Sequence, residues 1–504
     1  MYKFFNRKLS LIILVFISLL VFSCGTSQDE AAPYLDSGVD INTEGNDESE
    51  IAAAVPERLH ANVPTVDFGG YEFRILTFSE VGNPVHDHPD LTWTEEDMGD
   101  ILNDAVFRRN TDIEERFNIE IREIRSTNHA EDVRRAILAQ SDEFDIVGQR
   151  MIAALTPISS GFYLDLHSLP NLDLSKPWYL QNSVENLTLD GRLFTVLSEM
   201  LISPYSATSV IVFNKQLHED LALADPYQMV RDGAWTIGAL FELSRHGSRD
   251  LNGDGMMTFS DDQWGFMCQR DSMIAFLIGG GGQMGRINAD GSPELVFANE
   301  KNFSIMDKAF NLMYDEAISF NIQKPGARPP GLNDNEASAQ LWTSGRALFG
   351  WTRIGNIRLW REMDTLFGIL PMPKYDESQE NYYSLINPWQ AMGIAVPVTA
   401  SDINRTTIIM EALSAESRYT LQPAYHESAL RMRDARDDES SEMLDIIFGN
   451  TVIDPVITFN FADFSLGFMT LLNTLDRNLQ SFYDRNYRRV ENEIQRFMSS
   501  INEE

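Results

Sequence analysis

The alternation of apolar segments between residues 71 and 148 constrains the fold of this chain more than any other feature. Tyr71 to Phe78 (YEFRILTF), Ile119 to Ile124 and Phe144 to Gly148 (FDIVG) are short β-type runs, and the segments between them have apolar residues at helical spacing. Strand, helix, strand, helix, strand predicts a parallel sheet with right-handed crossovers. Ligands of such sheets bind beyond the carboxyl ends of the strands, so Glu80 and Arg150 are candidate binding residues.

The first 24 residues have the pattern of an export signal. A short basic start precedes an apolar run from Leu9 to Phe22, which is shorter than the roughly 20 apolar residues of a membrane-spanning helix. The run ends at Ser23-Cys24, and Leu20 to Cys24 resembles the lipobox of a bacterial lipoprotein. This resemblance implies that Cys24 is lipidated and anchors the chain to a membrane. A plain signal peptide with an incidental cysteine is the alternative, and either one predicts an extracytoplasmic protein.

Composition excludes some partners and predicts a tether. The chain has 504 residues, enough for two or more folding units, and a net charge of −35 from 40 basic and 75 acidic residues. No block of basic residues is present, which argues against a nucleic-acid partner. Residues 25–65 are acidic and contain few large apolar side chains, so we predict a disordered linker there. Cys268 is the one cysteine besides Cys24, and we expect it to be buried.

Later segments complete a recurring order of motifs. FDIVGQR, LFTVLSE, SVIVFNK, AWTIGAL, SGRALFGWTR, FGILPMPKYD and MGIAVP follow one another along the chain. Leu193 to Asn214 contains two extended apolar pieces, which we predict as strands crossing between lobes. Together these segments resemble the extracellular solute-binding proteins of bacterial ABC importers, in the carbohydrate-type group, from about Val66 to about Leu430.

The resemblance implies an α/β, two-lobed periplasmic-binding-protein-like fold (type II), with lobes joined by crossing hinge strands. We expect lobe 1 to comprise residues 66–204 with 390–420, and lobe 2 residues 205–389. Residues 421–504 are expected to form a helical segment that packs on the lobes. The resemblance also implies that the protein, expected to be a monomer, delivers a solute to the transmembrane subunits of an ABC permease. The absence of a phosphate-binding loop motif agrees with an ATPase on a separate subunit.

A calcium-type loop lies in the predicted second lobe. Residues 250–261 (DLNGDGMMTFSD) fit the pattern D-x-[DN]-x-[DN]-G with an acid at position twelve. Asp261 replaces the usual glutamate and has a shorter reach. We predict a structural calcium ion, and a metal-free Asp/Gly turn is the alternative. The predicted ligands are Asp250, Asn252, Asp254, the backbone carbonyl of Met256, Thr258 and Asp261.

Aromatic side chains near the predicted crossings are candidates for binding sugars. Sugars have apolar faces ringed by hydroxyl groups, and their binders combine aromatic platforms with polar side chains. Each tryptophan has a position in the apolar core as its alternative. The predicted ligand-binding residues are Glu80, Arg150, Tyr205, Trp351, Arg353 and Trp389.

These features favour a non-catalytic binder of a small polar solute, a sugar or an oligosaccharide. A secreted glycosidase-like enzyme would need two carboxylates ~5–10 Å apart, which the many acidic residues do not exclude. No hydrolase motif is present, and the order of motifs weighs against an enzyme. A surface scaffold lipoprotein, which needs no hinge, is the third alternative.

Overall fold

The computed structural model describes residues 58–79, 100–360, 366–431 and 438–502. The predicted site residues Cys24 and Glu80 lie outside these ranges, as do residues 25–57 of the predicted linker. The strands are β1 (Tyr71–Phe78), β2 (Ile119–Ser126), β3 (Ile146–Arg150), β4 (Ser209–Asn214), β5 (Trp264–Cys268), β6 (Gly285–Ile287), β7 (Pro293–Leu295), β8 (Ser319–Asn321), β9 (Ala347–Arg353), β10 (Phe367–Leu370), β11 (Ser384–Leu385), β12 (Met392–Ala395) and β13 (Thr451–Val452).

The helices lie on and between the sheets that these strands form. They are α1 (Ile101–Phe117), α2 (His129–Leu138), α3 (Leu155–Ser159), α4 (Gln181–Leu187), α5 (Ser203–Ser206), α6 (Lys215–Asp220), α7 (Pro226–Arg231), α8 (Ile237–Gly247), α9 (Ser272–Gly279), α10 (Glu300–Met313), α11 (Asp334–Thr343), α12 (Ile403–Ser417), α13 (Leu421–Arg431), α14 (Asp438–Gly449), α15 (Pro455–Phe459), α16 (Phe464–Thr474) and α17 (Leu479–Asn502). Within the described ranges, no helix is long and apolar enough to cross a membrane.

The first sheet confirms the predicted parallel opening. Its strand order is β12-β3-β1-β2, with β1 parallel to both β2 and β3. The helix α1 begins where the carboxylate of Asp100 accepts hydrogen bonds from two backbone N–H groups, at 3.0 and 3.2 Å. It ends at Asn118, whose left-handed backbone (φ 49°) turns the chain into β2. The edge strand β12 comes from the C-terminal half of the chain and is antiparallel to its neighbour β3.

The second sheet has five strands in the order β10-β4-β9-β5-β8. β9 lies at its centre, parallel to β5 and antiparallel to β4, and all seven of its residues are buried. The helix α8 packs closely on β5 at Gly265, where an added Cβ would lie 1.9 Å from the carbonyl oxygen of Ser244. Only glycine permits this approach, and it brings the helix layer directly onto the sheet.

The chain passes from the first sheet to the second through residues 193–214, which differ from the predicted pair of strands. Only Ser209–Asn214 is a strand. Ser203–Ser206 is a short helix because Pro204 stands in its first turn, where a missing N–H costs nothing. The hydroxyl group of Ser203 accepts a hydrogen bond from the backbone N–H of Met392 (3.0 Å), so this passage contacts the start of β12.

The last third of the chain packs on elements of both sheets. α13 contacts α1 beside the first sheet, while α14 contacts β10 of the second. The long terminal helix α17 contacts α3 and β7. Its apolar residues face inward at helical spacing, namely Leu479, Phe482, Val490, Ile494, Phe497 and Ile501.

Residues 58–65, which we predicted as part of the linker, instead lie on the folded body. Arg58 forms an ion pair with Glu416 (2.6 Å), and the backbone N–H of Leu59 donates to the hydroxyl group of Tyr419 (2.8 Å). Ala61 and Val63 pack against the main apolar core. The prediction failed here because a few small apolar residues are sufficient to dock a short extended segment on an existing surface.

Candidate functional site

The carboxyl end of β3 supplies the first part of the site. Arg150 is the last residue of this strand, and its guanidinium group lies 4.4 Å from the centre of the Phe78 ring, at the end of β1. Its Nη2 donates a hydrogen bond to the backbone carbonyl oxygen of Trp389 (3.0 Å). The preceding residue, Gln149, is buried and accepts from the hydroxyl group of Tyr163 (2.6 Å). Arg150 thus lies at the strand edge that the sequence predicted.

The carboxyl ends of β5 and β9 supply the second part. Arg353 ends β9, and its Nη1 lies 3.4 Å from the carboxylate of Asp271, which follows β5. Arg353 is 6% exposed, so this is a buried ion pair. Burial lowers the pKa of the Arg353 guanidinium group, and the adjacent carboxylate of Asp271 opposes that effect.

Residues 387–390, the crossing segment, connect these two edges. Asn387 donates through its Nδ2 to the carboxylate of Asp271 (3.0 Å) and through its backbone N–H to the carbonyl oxygen of Ala207 (3.0 Å). On the other side, the carbonyl oxygen of Pro388 accepts from the backbone N–H of Ile152 (3.0 Å), directly after the first sheet. The crossing segment is therefore bonded to the carboxyl-end edges of both sheets.

Several buried polar atoms at this junction have no hydrogen-bond partner among the described residues. Gln390 is 7% exposed, and neither its amide nitrogen nor its amide oxygen has a partner. The Nε of Arg353 and the Oδ1 of Asn356, which follows β9, are also without one. An unsatisfied buried polar group costs about 1–3 kcal/mol, so groups of this kind are suited to bind the hydroxyl groups of a ligand.

The structure separates the predicted aromatic residues. Trp389 is half-buried and lies within the crossing segment, as expected. Trp351 has no exposed surface, because both faces of the second sheet are covered at β9, so its ring cannot contact a ligand in this conformation. Tyr205 is also buried: it packs on Tyr425 and Phe448 and donates a hydrogen bond to Glu199 (3.0 Å). For these two aromatic residues, the core alternative describes the structure better than the platform.

Four residues of this site were not identified from the sequence: Asp271, Asn356, Asn387 and Gln390. Asp271 lies three residues after the end of β5, so the rule for carboxyl ends would have identified it once that strand was recognised. Asn387 and Gln390 flank the Pro388-Trp389 pair, and Trp389 is the residue of this segment that the sequence analysis predicts as ligand-binding. The unpaired state of Gln390 has no local sequence signal.

The calcium-type loop forms a compact turn on the surface. The carboxylate of Asp250 accepts from the backbone N–H groups of Gly253 (2.6 Å) and Gly255 (2.8 Å), and Gly255 has a left-handed backbone (φ 80°). Asp261 accepts from the hydroxyl group of Thr258 (3.2 Å). Among the described residues, no group of three or more His, Cys, Asp and Glu side chains is arranged to hold a metal ion. The metal site therefore remains a prediction from the sequence motif.

Comparison with known proteins supports the fold. No family model matches the sequence, and no curated protein matches it. Among solved structures, an ABC substrate-binding protein from Listeria monocytogenes in complex with cycloalternan matches with a TM-score of 0.54 and 13% identity, covering 84% of this chain and 99% of that one.

Two further structures match over a similar extent. A solute-binding protein of an ABC transporter from Agrobacterium radiobacter K84, in complex with ribitol, has a TM-score of 0.52 and 12% identity, covering 84% of this chain and 99% of that one. The maltose/maltodextrin-binding domain MalE from Bdellovibrio bacteriovorus, bound to maltotriose, has a TM-score of 0.51 and 13% identity, covering 84% and 100%. This chain therefore has the two-domain α/β fold of ABC-transporter solute-binding proteins, as its sequence resemblance predicted.

Proposed function

We propose that the protein binds a sugar or oligosaccharide at the junction of its two sheets and delivers it to an ABC permease, without chemical change. The observation that carries this proposal is the buried amide of Gln390, which has no hydrogen-bond partner among the described residues and directly follows the half-buried Trp389 in the crossing segment. An aromatic face combined with free amide groups suits the apolar faces and hydroxyl groups of a sugar. In such a binder, the ligand favours the closed state by contacting both lobes.

The fold neighbours support a carbohydrate as the ligand class. Their bound ligands include cycloalternan, ribitol and maltotriose, which are neutral polyhydroxyl compounds. The carboxylate of Asp271 is engaged by Arg353 and Asn387, which favours a structural role over that of an acid catalyst. Both observations favour a binder over the glycosidase-like alternative.

A thermal-shift screen against polyols, monosaccharides and linear and cyclic oligosaccharides, combined with product analysis, tests this proposal. We expect one ligand class to raise the melting temperature without being converted. Turnover of the stabilising compound would instead identify an enzyme. If no solute changed the melting temperature, the scaffold alternative would replace the binder.

We further propose that the protein is a monomer held outside the cytoplasmic membrane by a lipid on Cys24. The support is the lipobox-like sequence, together with a fold typical of extracytoplasmic binders. Metabolic labelling with a palmitate analogue should mark the wild-type protein and leave Cys24→Ser unlabelled. Labelling that persists in Cys24→Ser would contradict the anchor.

We also propose that the loop of residues 250–261 binds calcium. The predicted ligand atoms are all oxygens, which suits a hard cation, and Gly255 has the backbone conformation that the sharp turn requires. In the metal-bound state, coordination of the carboxylate oxygens to the ion would replace some of the hydrogen bonds that these carboxylates now accept from the loop.

A further inference from the structure

The terminal helix α17 has two contrasting faces. One is buried in the apolar core, and the other carries four exposed arginines, Arg485, Arg488, Arg489 and Arg496, which we call the arginine stripe. At 100° per residue these four positions lie within one side of the helix. They extend over about 16 Å along its axis, from the rise of 1.5 Å per residue.

The charges of the arginine stripe are not neutralised within the described structure. None of the four guanidinium groups forms an ion pair there, and Arg485 is bonded only to the hydroxyl group of Ser481. Glu493 lies four residues after Arg489, but its carboxylate accepts a hydrogen bond from the backbone N–H of Ala462. By contrast, exposed arginines elsewhere, such as Arg134 and Arg245, are paired with nearby glutamates.

We propose that the arginine stripe binds the phosphate groups of anionic membrane lipids and thereby orients the body on the bilayer. A chain with a net charge of −35 is repelled by an anionic surface, so a concentrated positive face determines which side can approach it. Because screening limits the repulsion to about 8–10 Å at physiological salt, contacts made by the stripe itself dominate at short range. Arginine is well suited to bind phosphate because its donors form a planar fork.

Two observations favour a lipid surface over an acidic protein surface. The stripe follows the exposed side of one continuous helix, so its four cations lie along a single line that a flat surface can contact. Beside Arg496 lies a shallow depression of about 590 Å³, lined only by polar side chains, which offers donors to a headgroup: Asn492, Gln495, Arg496, Ser499 and Ser500. In addition, an anchor at Cys24, as proposed above, would hold the body near a bilayer, because Cys24 precedes Arg58, the first described residue, by 34 positions.

Vesicle co-sedimentation tests the proposal with the mature chain, residues 24–504, carrying Cys24→Ser so that no lipid anchor contributes. We expect binding to phosphatidylglycerol-containing vesicles at low ionic strength, weak binding to pure phosphatidylcholine, and release by high salt. Changing all four stripe arginines to glutamine should weaken the binding at least about tenfold, since each basic side chain near an anionic surface contributes substantially.

A control variant removes the same total charge elsewhere: Arg122, Arg134, Arg245 and Arg286, all exposed and ion-paired, are changed to glutamine. It should bind vesicles as the wild type does, and circular dichroism should show that both variants are folded. Equal losses in the two variants would mean that only net charge matters and would overturn the proposal. Absence of vesicle binding by the unchanged stripe would also overturn it and would favour an acidic protein as the partner. Sugar binding is measured separately, so failure here does not affect the proposed function.

Discussion

At the scale of single residues, Gln390 combines burial with unused hydrogen-bonding capacity. Its amide is buried in the crossing segment, yet neither polar atom has a hydrogen-bond partner in the part of the chain that the structure describes. Most buried polar groups in proteins have hydrogen-bond partners. A buried amide without one does not stabilise the fold, which indicates another role for this residue. The neighbouring Asn387 shows the opposite behaviour, since its side chain bonds to Asp271 and to the backbone N–H of Trp389.

We predict that Gln390→Leu separates binding from stability. The affinity for the sugar found in the screen should fall about tenfold or more, because a lost hydrogen bond to a buried ligand group costs about 1–3 kcal/mol. The melting temperature of the free protein should stay the same or rise, because none of the described residues donates to or accepts from this amide. Calorimetric titration and thermal unfolding measure the two effects. The control Gln216→Leu alters an exposed amide on α6, and equal affinity losses in both variants would contradict the prediction.

A second prediction concerns Glu411, a buried carboxylate on α12. It accepts a hydrogen bond from the hydroxyl group of Tyr179 (2.7 Å), and burial raises its pKa to about 7, from 4.5. Between these two values the folded protein holds a proton that the unfolded chain has lost, so the free energy of unfolding falls as the pH rises from 4.5 to 7. Glu411→Gln is neutral throughout and should be more stable than the wild type above pH 7, by on the order of 1–3 kcal/mol.

Urea unfolding of both proteins across this pH range measures the difference. It should shrink as the pH falls and be smallest below pH 4.5, where the wild-type carboxyl group is protonated in both the folded and the unfolded state. Glu242→Gln, which changes an exposed carboxylate on α8, should show no such trend. A difference between Glu411→Gln and wild type that does not depend on pH would rule out the titration of Glu411 as its cause.

The residue scale also shows the limit of sequence reasoning about the site. Trp351 and Trp389 both lie in segments that the sequence placed near the cleft, but only Trp389 retains exposed surface. Within β9, alternation along the strand does not distinguish a cleft-facing side, because every residue of the strand is buried. The layers that cover the two faces come from distant parts of the chain.

At the scale of elements, the ion pair between Arg353 and Asp271 joins β9 to the start of α9. Because the Arg353 side chain is buried and that of Asp271 is only 15% exposed, removal of the carboxylate leaves a buried guanidinium charge without compensation. We predict that Asp271→Ala lowers the free energy of unfolding by about 3–5 kcal/mol, as found for broken buried pairs. The surface pair of Arg477 and Asp307 has the same 3.4 Å separation, and Asp307→Ala should cost less than about 1 kcal/mol. Urea unfolding measures the decrease in the free energy of unfolding for both variants. Similar decreases would mean that the pair of Arg353 and Asp271 contributes no more than a surface pair.

The calcium-type loop is tested at the same scale. Calcium should raise the melting temperature of the wild type, and EGTA should reverse that increase, because a ligand that binds only the folded state stabilises it. Asp254→Ala should abolish the response. Asp290→Ala removes a comparable surface turn, in which Asp290 accepts from Ser292, and it should leave the calcium response intact. A melting temperature insensitive to EGTA would favour the metal-free turn.

At the scale of the whole molecule, the proposed function requires the two sheets to approach each other around a ligand. The crossing segment is bonded to both carboxyl-end edges, so a change in its backbone would move one sheet relative to the other. We predict that a saturating sugar lowers the radius of gyration measured by small-angle X-ray scattering. Gln390→Leu should need a higher sugar concentration for the same decrease. An unchanged radius with bound sugar would contradict the hinge.

The sequence by itself determined the βαβαβ opening and the resemblance that predicted the fold, because these depend on local periodicity and on the order of segments. Local patterns also placed Arg150 at a strand end. Only the tertiary structure decided that Trp351 and Tyr205 are core residues, that residues 58–65 lie on the body, and that the buried amide of Gln390 has no partner among the described residues. The physical reason is that burial and hydrogen bonding join residues far apart in the chain: Asp271 and Asn387 are separated by 116 positions and meet only because two sheets share one junction.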